Sequence, residues 1–264
     1  MYQILIFFIY DEFQFNHGPS VALGAFFVCL GLIGVLLRRS MLIWYGANIL
    51  GLVFAAGVLF VYKSDNHIFF GWYVILMSTF HYMEFLTTAL TNPANLSVDS
   101  YLLNHSLQYA FAAMASWLEY AIEYWAFGNM KTDNYLQISS FGVIICIVGD
   151  CIRKLAMFHA GKNFNHIVQG TKAREHELVT SGIFSVVRHP SYLGWFLFSI
   201  GTQLTLFNPL CLIAYAYVTW LFFADRIYVE EYILLQFFGD AYENYQKSVQ
   251  FTGIPFVKGF KKND

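Results

Sequence analysis

The chain has 264 residues, of which 58% are hydrophobic, 20% aromatic and only 12% charged, with a net charge of −2. A soluble globular protein carries about 25% charged residues because its surface faces water, so half that share sets much of this surface against lipid. The balance of charge forms no basic domain, which leaves no footprint for nucleic acid.

The apolar opening at 1–10 lacks a positive n-region and a small-residue cleavage site. It is also short against the roughly 20 helical residues needed to cross hydrocarbon. Long apolar runs follow at 20–37, 41–62, 68–91, 102–127, 135–159, 191–207 and 209–224. They are continuously apolar and do not alternate, which predicts helices and not barrel strands. With a tilted or partial helix at 2–13, the expected fold is all-α. It is a polytopic membrane protein with about seven to eight transmembrane helices, including a C-terminal helical hairpin turned at Asn208-Pro209. Both hairpin arms are short for full spans, so a tilted or partly inserted hairpin is expected.

Orientation follows from lysine and arginine in the short connections. Arg38 and Arg39 share one side with the 92–101 segment and with everything after residue 159, which holds Lys162, Lys172, Arg174, Arg188, Lys247, Lys258, Lys261 and Lys262. The opposite side receives Lys63 and Lys131. The richer side is expected to be cytosolic, so the sequons at Asn95 and Asn104 should carry no glycan. Cys29, Cys146, Cys151 and Cys211 all lie in apolar runs and read as small buried hydrophobes.

Ionisable groups inside spans default to pairing or function. Glu84, Glu119 and Glu123 are read as interhelical partners, with Glu119 and Glu123 four apart on one face. Lys154 is expected to snorkel to the headgroups. For Arg153 two readings stand, an ion pair or a cation that draws an anionic group into the bundle. Further on, Arg226 and Glu230 are four apart and close enough to pair, either in a salt-laced surface helix or in a site.

The 160–190 connection mixes glycine, histidine, glutamine and aromatics without periodicity, as a structured loop with specific polar contacts does. Thr180-Ser-Gly-Ile reads as a tight turn. Pro190 suits the first turn of a helix, where its missing N–H costs nothing. His189 just before it would either cap that helix or keep its ring free for an anion. His159, His166, His176 and His189 lack any metal-ligand spacing, so no metal is expected. No dinucleotide fingerprint or phosphate loop is present.

Several stretches then carry a specific resemblance. They are Arg153-Lys-Leu-Ala-Met157, Asn163-Phe-Asn-His166, Leu178-Val-Thr-Ser-Gly182, Arg188-His-Pro-Ser-Tyr-Leu-Gly-Trp195, Gly201-Thr-Gln203, Asp225-Arg226, Glu230-Glu231, Phe237-Phe-Gly239 and Gly253-Ile-Pro-Phe256. In order and spacing, over roughly residues 70–260, the chain resembles the isoprenylcysteine carboxyl methyltransferases of the endoplasmic reticulum membrane. The Arg-His-Pro element is shared with phospholipid methyltransferases and NADPH-dependent sterol reductases, which are the alternatives. The Gly-Ile-Pro-Phe tail favours the prenylcysteine branch.

The resemblance implies two regions: N-terminal transmembrane helices at 1–134, and a catalytic region at 135–264 with a cytosolic pocket for S-adenosylmethionine. Carried over residue by residue, the implied cofactor contacts are Gln169, His176, Glu177, Leu178, Val179, Phe184, His189, Pro190, Ser191, Tyr192 and Glu230. Phe184 departs from the family, where tyrosine is common. Arg226 is implied as the holder of the substrate carboxylate, with Arg153 a second candidate. The implied substrates are processed prenylated CaaX proteins, such as Ras-like small GTPases and lamins, whose lipid chain partitions into the membrane. The aromatic-rich stretch 68–85 would line a lateral opening for that chain or simply face lipid.

Overall fold

The computed structural model describes residues 41–63, 67–103, 106–127, 136–172 and 176–261. The helices expected at 2–13 and 20–37, and with them Cys29, Arg38 and Arg39, lie outside the described residues, as do Asn104, Lys131, Arg174 and Lys262. Seven α-helices occur among the described residues: α1 (Met41–Lys63), α2 (Ile68–Thr91), α3 (Leu107–Phe127), α4 (Leu136–Ala160), α5 (Pro190–Leu206), α6 (Pro209–Phe238) and α7 (Asp240–Ser248). Two of them, α1 and α6, are long and apolar enough to cross a membrane by length and composition alone.

The helices pack where side chains are smallest. Without a hydrophobic force between helices in lipid, close van der Waals approach takes its place. On α4 and α5, Gly149 faces Gly194. A Cβ built on either would stand 2.6 or 2.5 Å from the other's carbonyl oxygen, so the backbones touch. Gly201, about two turns further along α5, lies against Cys146. Gly57 and Gly71 make the same contact between α1 and α2.

Polar groups fix the far end of the hairpin. Ser116 on α3 donates to Gln203 (3.0 Å), and Asn208 donates to the Ser116 carbonyl (2.8 Å). Glu119 accepts the N–H groups of Leu210 (2.8 Å) and Cys211 (2.7 Å), capping α6 from a neighbouring helix. Those N–H groups have no intrahelical partner, and a carboxylate there meets the positive end of the helix dipole. Pro190 and Pro209 each occupy a first helical turn, and α5 ends on Phe207 in the left-handed region (φ 52°).

Several expectations are corrected. The second hairpin arm is not short: α6 runs 30 residues without interruption through the polar stretch after 224 and stops at Gly239, whose φ is +52°. The run expected from 102 follows a 3-10 turn (Val98–Tyr101), and its helix begins only at Leu107. Lys154 does not snorkel. It is buried and turned inward onto Glu84 (2.5 Å) and Asp150 (2.8 Å), because two carboxylates inside the bundle outweigh a distant headgroup. Cys146 and Cys211 are buried as expected, whereas Cys151 is exposed on the outer face of α4. On α2 the rings of Phe69, Tyr73, Phe80 and Tyr82 are buried within the bundle, while Trp72 is exposed.

Candidate active site

One end of the bundle gathers the loop after α4, the start of α5, the last turns of α6 and the C-terminal tail. The segment after α2 lies there too: Asn92 donates to the carbonyls of Lys162 (3.2 Å) and Phe164 (3.1 Å), and Asn95 to Asn165 (2.9 Å). The tail is zipped onto the loop by backbone bonds from Arg188 N–H to Phe251 (3.0 Å) and from His189 N–H to Thr252 (2.8 Å). Gly253, at φ +116°, allows the tail to pass against the His189 carbonyl, and Trp220 donates to the Pro255 carbonyl (2.7 Å).

Between these pieces lies a solvent-open cleft of about 1240 Å³, its mouth included. All thirteen residues singled out in the sequence line it: Arg153, Gln169, His176, Glu177, Leu178, Val179, Phe184, His189, Pro190, Ser191, Tyr192, Arg226 and Glu230. Sequence separations of up to 77 residues are therefore closed by the fold, with Arg153 at one extreme and Glu230 at the other.

The two arginines are held differently. Arg153 is buried and forks onto Glu84, Nε to Oε1 at 2.6 Å and Nη2 to Oε2 at 2.8 Å, and its Nη1 donates to Ser191 Oγ at 2.7 Å. Its charge is already met, so the ion-pair reading holds for it. Arg226 is half-buried on the cleft wall. Its Nε donates to the Tyr192 hydroxyl (3.0 Å) and its Nη2 to the His166 carbonyl (2.7 Å), while Nη1 has no partner among the described residues. A guanidinium with donors to spare beside a cleft can take a carboxylate in a charge-assisted fork. Arg226 and Glu230 do not pair as their spacing suggested. The Tyr192 hydroxyl stands between them, accepting from Arg226 and donating to Glu230.

His189 also departs from expectation. Its side chain makes no helix cap, and its ring is not free: Nε2 donates to Glu231 Oε1 (3.1 Å), and the ring stacks on Tyr192. Glu231, fully buried, accepts as well from Arg188 Nε (2.7 Å) and Gln246 (3.0 Å). Arg188 spends its remaining donors on the carbonyls of Val249, Gln250 and Lys258. Consecutive helical residues point about 100° apart, so Glu230 faces the cleft and Glu231 the tail.

Arg188, Glu231, Glu84 and His166 thus organise the site without having been singled out for it. The Arg188-His and Glu230-Glu231 pairs flagged the first two, but which member faces the cleft depends on helix rotation. Around the rest of the cleft, Glu177 is anchored by Asn163, which accepts its N–H (3.0 Å), and Tyr245 donates to the Phe184 carbonyl (2.6 Å). Burial, reinforced by Lys172 and partly opposed by Glu230, holds the His176 imidazole below its usual range. No group of three or more His, Cys, Asp or Glu placed to hold a metal ion occurs among the described residues.

A sequence model of the isoprenylcysteine carboxyl methyltransferase family matches residues 142–236. The chain is 50% identical over 215 residues to protein-S-isoprenylcysteine O-methyltransferase of Rattus norvegicus, spanning 81% of this chain and 75% of that one. To the Xenopus laevis enzyme of the same name it is 47% identical over 243 residues, covering 91% and 83%. The chain belongs to the isoprenylcysteine carboxyl methyltransferase family. A solved structure of the eukaryotic intramembrane Ras methyltransferase of this family superposes with a TM-score of 0.83 at 40% identity, covering 97% of this chain and 94% of that one. The fold is accordingly an all-α, polytopic membrane fold, and the protein is a membrane methyltransferase that acts on the carboxylate of isoprenylated cysteine with S-adenosylmethionine as methyl donor.

The cleft's chemistry fits that donor. The aromatic and aliphatic side chains of Phe184, Leu178 and Val179 offer an apolar wall, the carboxylates of Glu177 and Glu230 offer acceptors for hydroxyl or ammonium groups, and the N-terminus of α5 opens at Pro190.

Proposed function

We propose that the cleft is the methyl-transfer site and that it faces the cytosol at the endoplasmic reticulum membrane. Seven to eight spans would cross that membrane, and processed prenylated CaaX proteins, Ras-like small GTPases and lamins among them, would be the substrates. In this reading residues 135–264 form the catalytic region and 1–134 the remaining transmembrane helices. Gln169, His176, Glu177, Leu178, Val179, Phe184, His189, Pro190, Ser191, Tyr192 and Glu230 hold the cofactor, and Arg226 holds the acceptor.

The observation that carries the reading is the Tyr192 hydroxyl joining Arg226 to Glu230. It sets the only arginine of the cleft with an unpartnered nitrogen among the described residues beside the cleft-lining carboxylate of Glu230. S-adenosylmethionine, when bound, supplies an electrophilic methyl group. The chain itself has little else to do. A C-terminal carboxylate with a pKa of about 3.5 is ionised at neutral pH, so no general base is required. Arg226 orients that carboxylate, and its gain comes from alignment, since a tight pair stabilises the ground state as well. Arg153, paired with Glu84, steadies Ser191 at the start of α5 and stands as the second candidate on the acceptor's side of the cleft.

The test is methyl transfer from labelled S-adenosylmethionine to N-acetyl-S-farnesylcysteine by purified protein, with Arg226→Ala in parallel. Base-labile methyl ester strongly reduced but still measurable in the mutant, at unchanged cofactor affinity, is expected. Equal ester from both proteins would remove Arg226 from its role.

A further inference from the structure

Arg226 is held on its free side by a main-chain atom of the loop, the His166 carbonyl. That loop residue is itself tied to the interior of the bundle. The His166 ring Nε2 donates to Glu84 Oε2 at 3.0 Å, across 82 residues of sequence, and Glu84 sits fully buried about two turns before the end of α2. We propose that Glu84 and His166 form a positioning pair, which sets the His166 carbonyl and through it the guanidinium of Arg226.

The surroundings of Glu84 suit a hydrogen-bond donor in this role. Glu84 meets Arg153 and Lys154, and Lys154 also meets Asp150, so two carboxylates face two permanent cations. The third partner of the Glu84 carboxylate need only donate a hydrogen bond, which Nε2–H does. The neighbouring loop residues are pinned by Asn92 and Asn95, upstream of residue 166. At His166 itself the side-chain hydrogen bond is the one to Glu84. Its removal frees the carbonyl to shift, and Arg226 keeps only Tyr192 as a fixed partner. A misplacement of about 1 Å at the reacting group costs on the order of a hundredfold in rate, and partial loosening costs less.

The inference rests on Arg226 as the acceptor's holder, and the experiment separates the two. Glu84→Gln risks the fold, because Arg153 would lose its counter-charge in the interior. His166→Phe leaves that pair intact and keeps a ring beside Phe164. His166→Gln restores an N–H donor at about the reach of Nε2. Steady-state kinetics with N-acetyl-S-farnesylcysteine and calorimetric cofactor affinity are measured for each, alone and in an Arg226→Ala background.

His166→Phe is expected to lower kcat/KM for the acceptor about tenfold while the cofactor affinity stays within about twofold of the parent. His166→Gln should recover most of that loss. In the Arg226→Ala background His166→Phe should change nothing further, since the route through the guanidinium is gone. A full additional loss there, or an equal fall in cofactor affinity, would overturn the positioning role and make the pair merely structural. If Arg226→Ala alone leaves kcat/KM unchanged, the acceptor reading itself fails. If Arg226→Ala is impaired and His166→Phe is not, only the positioning pair fails.

Discussion

The Nε of Arg226 lies 3.0 Å from the Tyr192 hydroxyl, which in turn donates to Glu230. One phenol thus connects a cation on α6 to a carboxylate one turn further along the same helix, from across the hairpin. Stacking on His189 on one side and Phe223 on the other fixes the ring. The hydroxyl stands between Arg226 and Glu230, so the two do not pair directly.

Tyr192→Phe should therefore preserve the stacked ring and lose the bridge. Arg226 and Glu230 are then free to pair directly. We expect kcat/KM for the prenylcysteine acceptor to fall about tenfold, the loss of one or two hydrogen bonds to charged groups. Thermal stability in detergent should stay near the parent. Methyl ester formation at the parent rate would show that the bridge has no part in catalysis.

Glu119 caps α6 from α3 through the N–H groups of Leu210 and Cys211. Glu119→Ala removes both acceptors and should destabilise the hairpin by about 1–2 kcal/mol. Thermal unfolding in detergent reads this as a lowered midpoint, with activity at low temperature retained because the cap lies at the end remote from the cleft.

Glu231 is buried with Arg188 and His189 as donors. Glu231→Ala leaves the Arg188 guanidinium buried without its counter-charge, a loss of about 3–5 kcal/mol. The tail zipped by Arg188 should detach first. Limited proteolysis after residue 248 would report it, and a tail as resistant as the parent's would contradict the clamp.

His176 stands in the cleft with its pKa held below the usual value of about 6.5. Between the lowered and the ordinary value, the unfolded chain binds a proton that the folded chain does not. Stability therefore rises with pH through that window and falls on acidification. The midpoint of His176→Asn should be flatter than the parent's from about pH 7 to pH 5. Parallel curves for the two proteins would show that His176 does not contribute.

Much of the architecture is legible along the chain because lipid makes a one-dimensional demand. Continuous apolar runs must be helices, and the runs at 41–62, 68–91 and 135–159 match α1, α2 and α4 within a residue or two. Prolines at 190 and 209 mark helix starts by what they lack. The site's membership is legible as well, through short motifs whose residues meet in one cleft.

What those residues do to one another was decided only in three dimensions. Sequence spacing paired Arg226 with Glu230, but a hydroxyl from the other hairpin arm intervenes. Hydropathy sent Lys154 to the headgroups, but Glu84 lies 70 residues away in sequence and 2.5 Å away in space. Which of Glu230 and Glu231 faces the cleft is a matter of about 100° of helix rotation, set by where Arg188 and the tail dock. A charge inside a bundle takes its partner from whichever helix packs beside it, and the glycine contacts that choose the neighbour are made between distant parts of the chain.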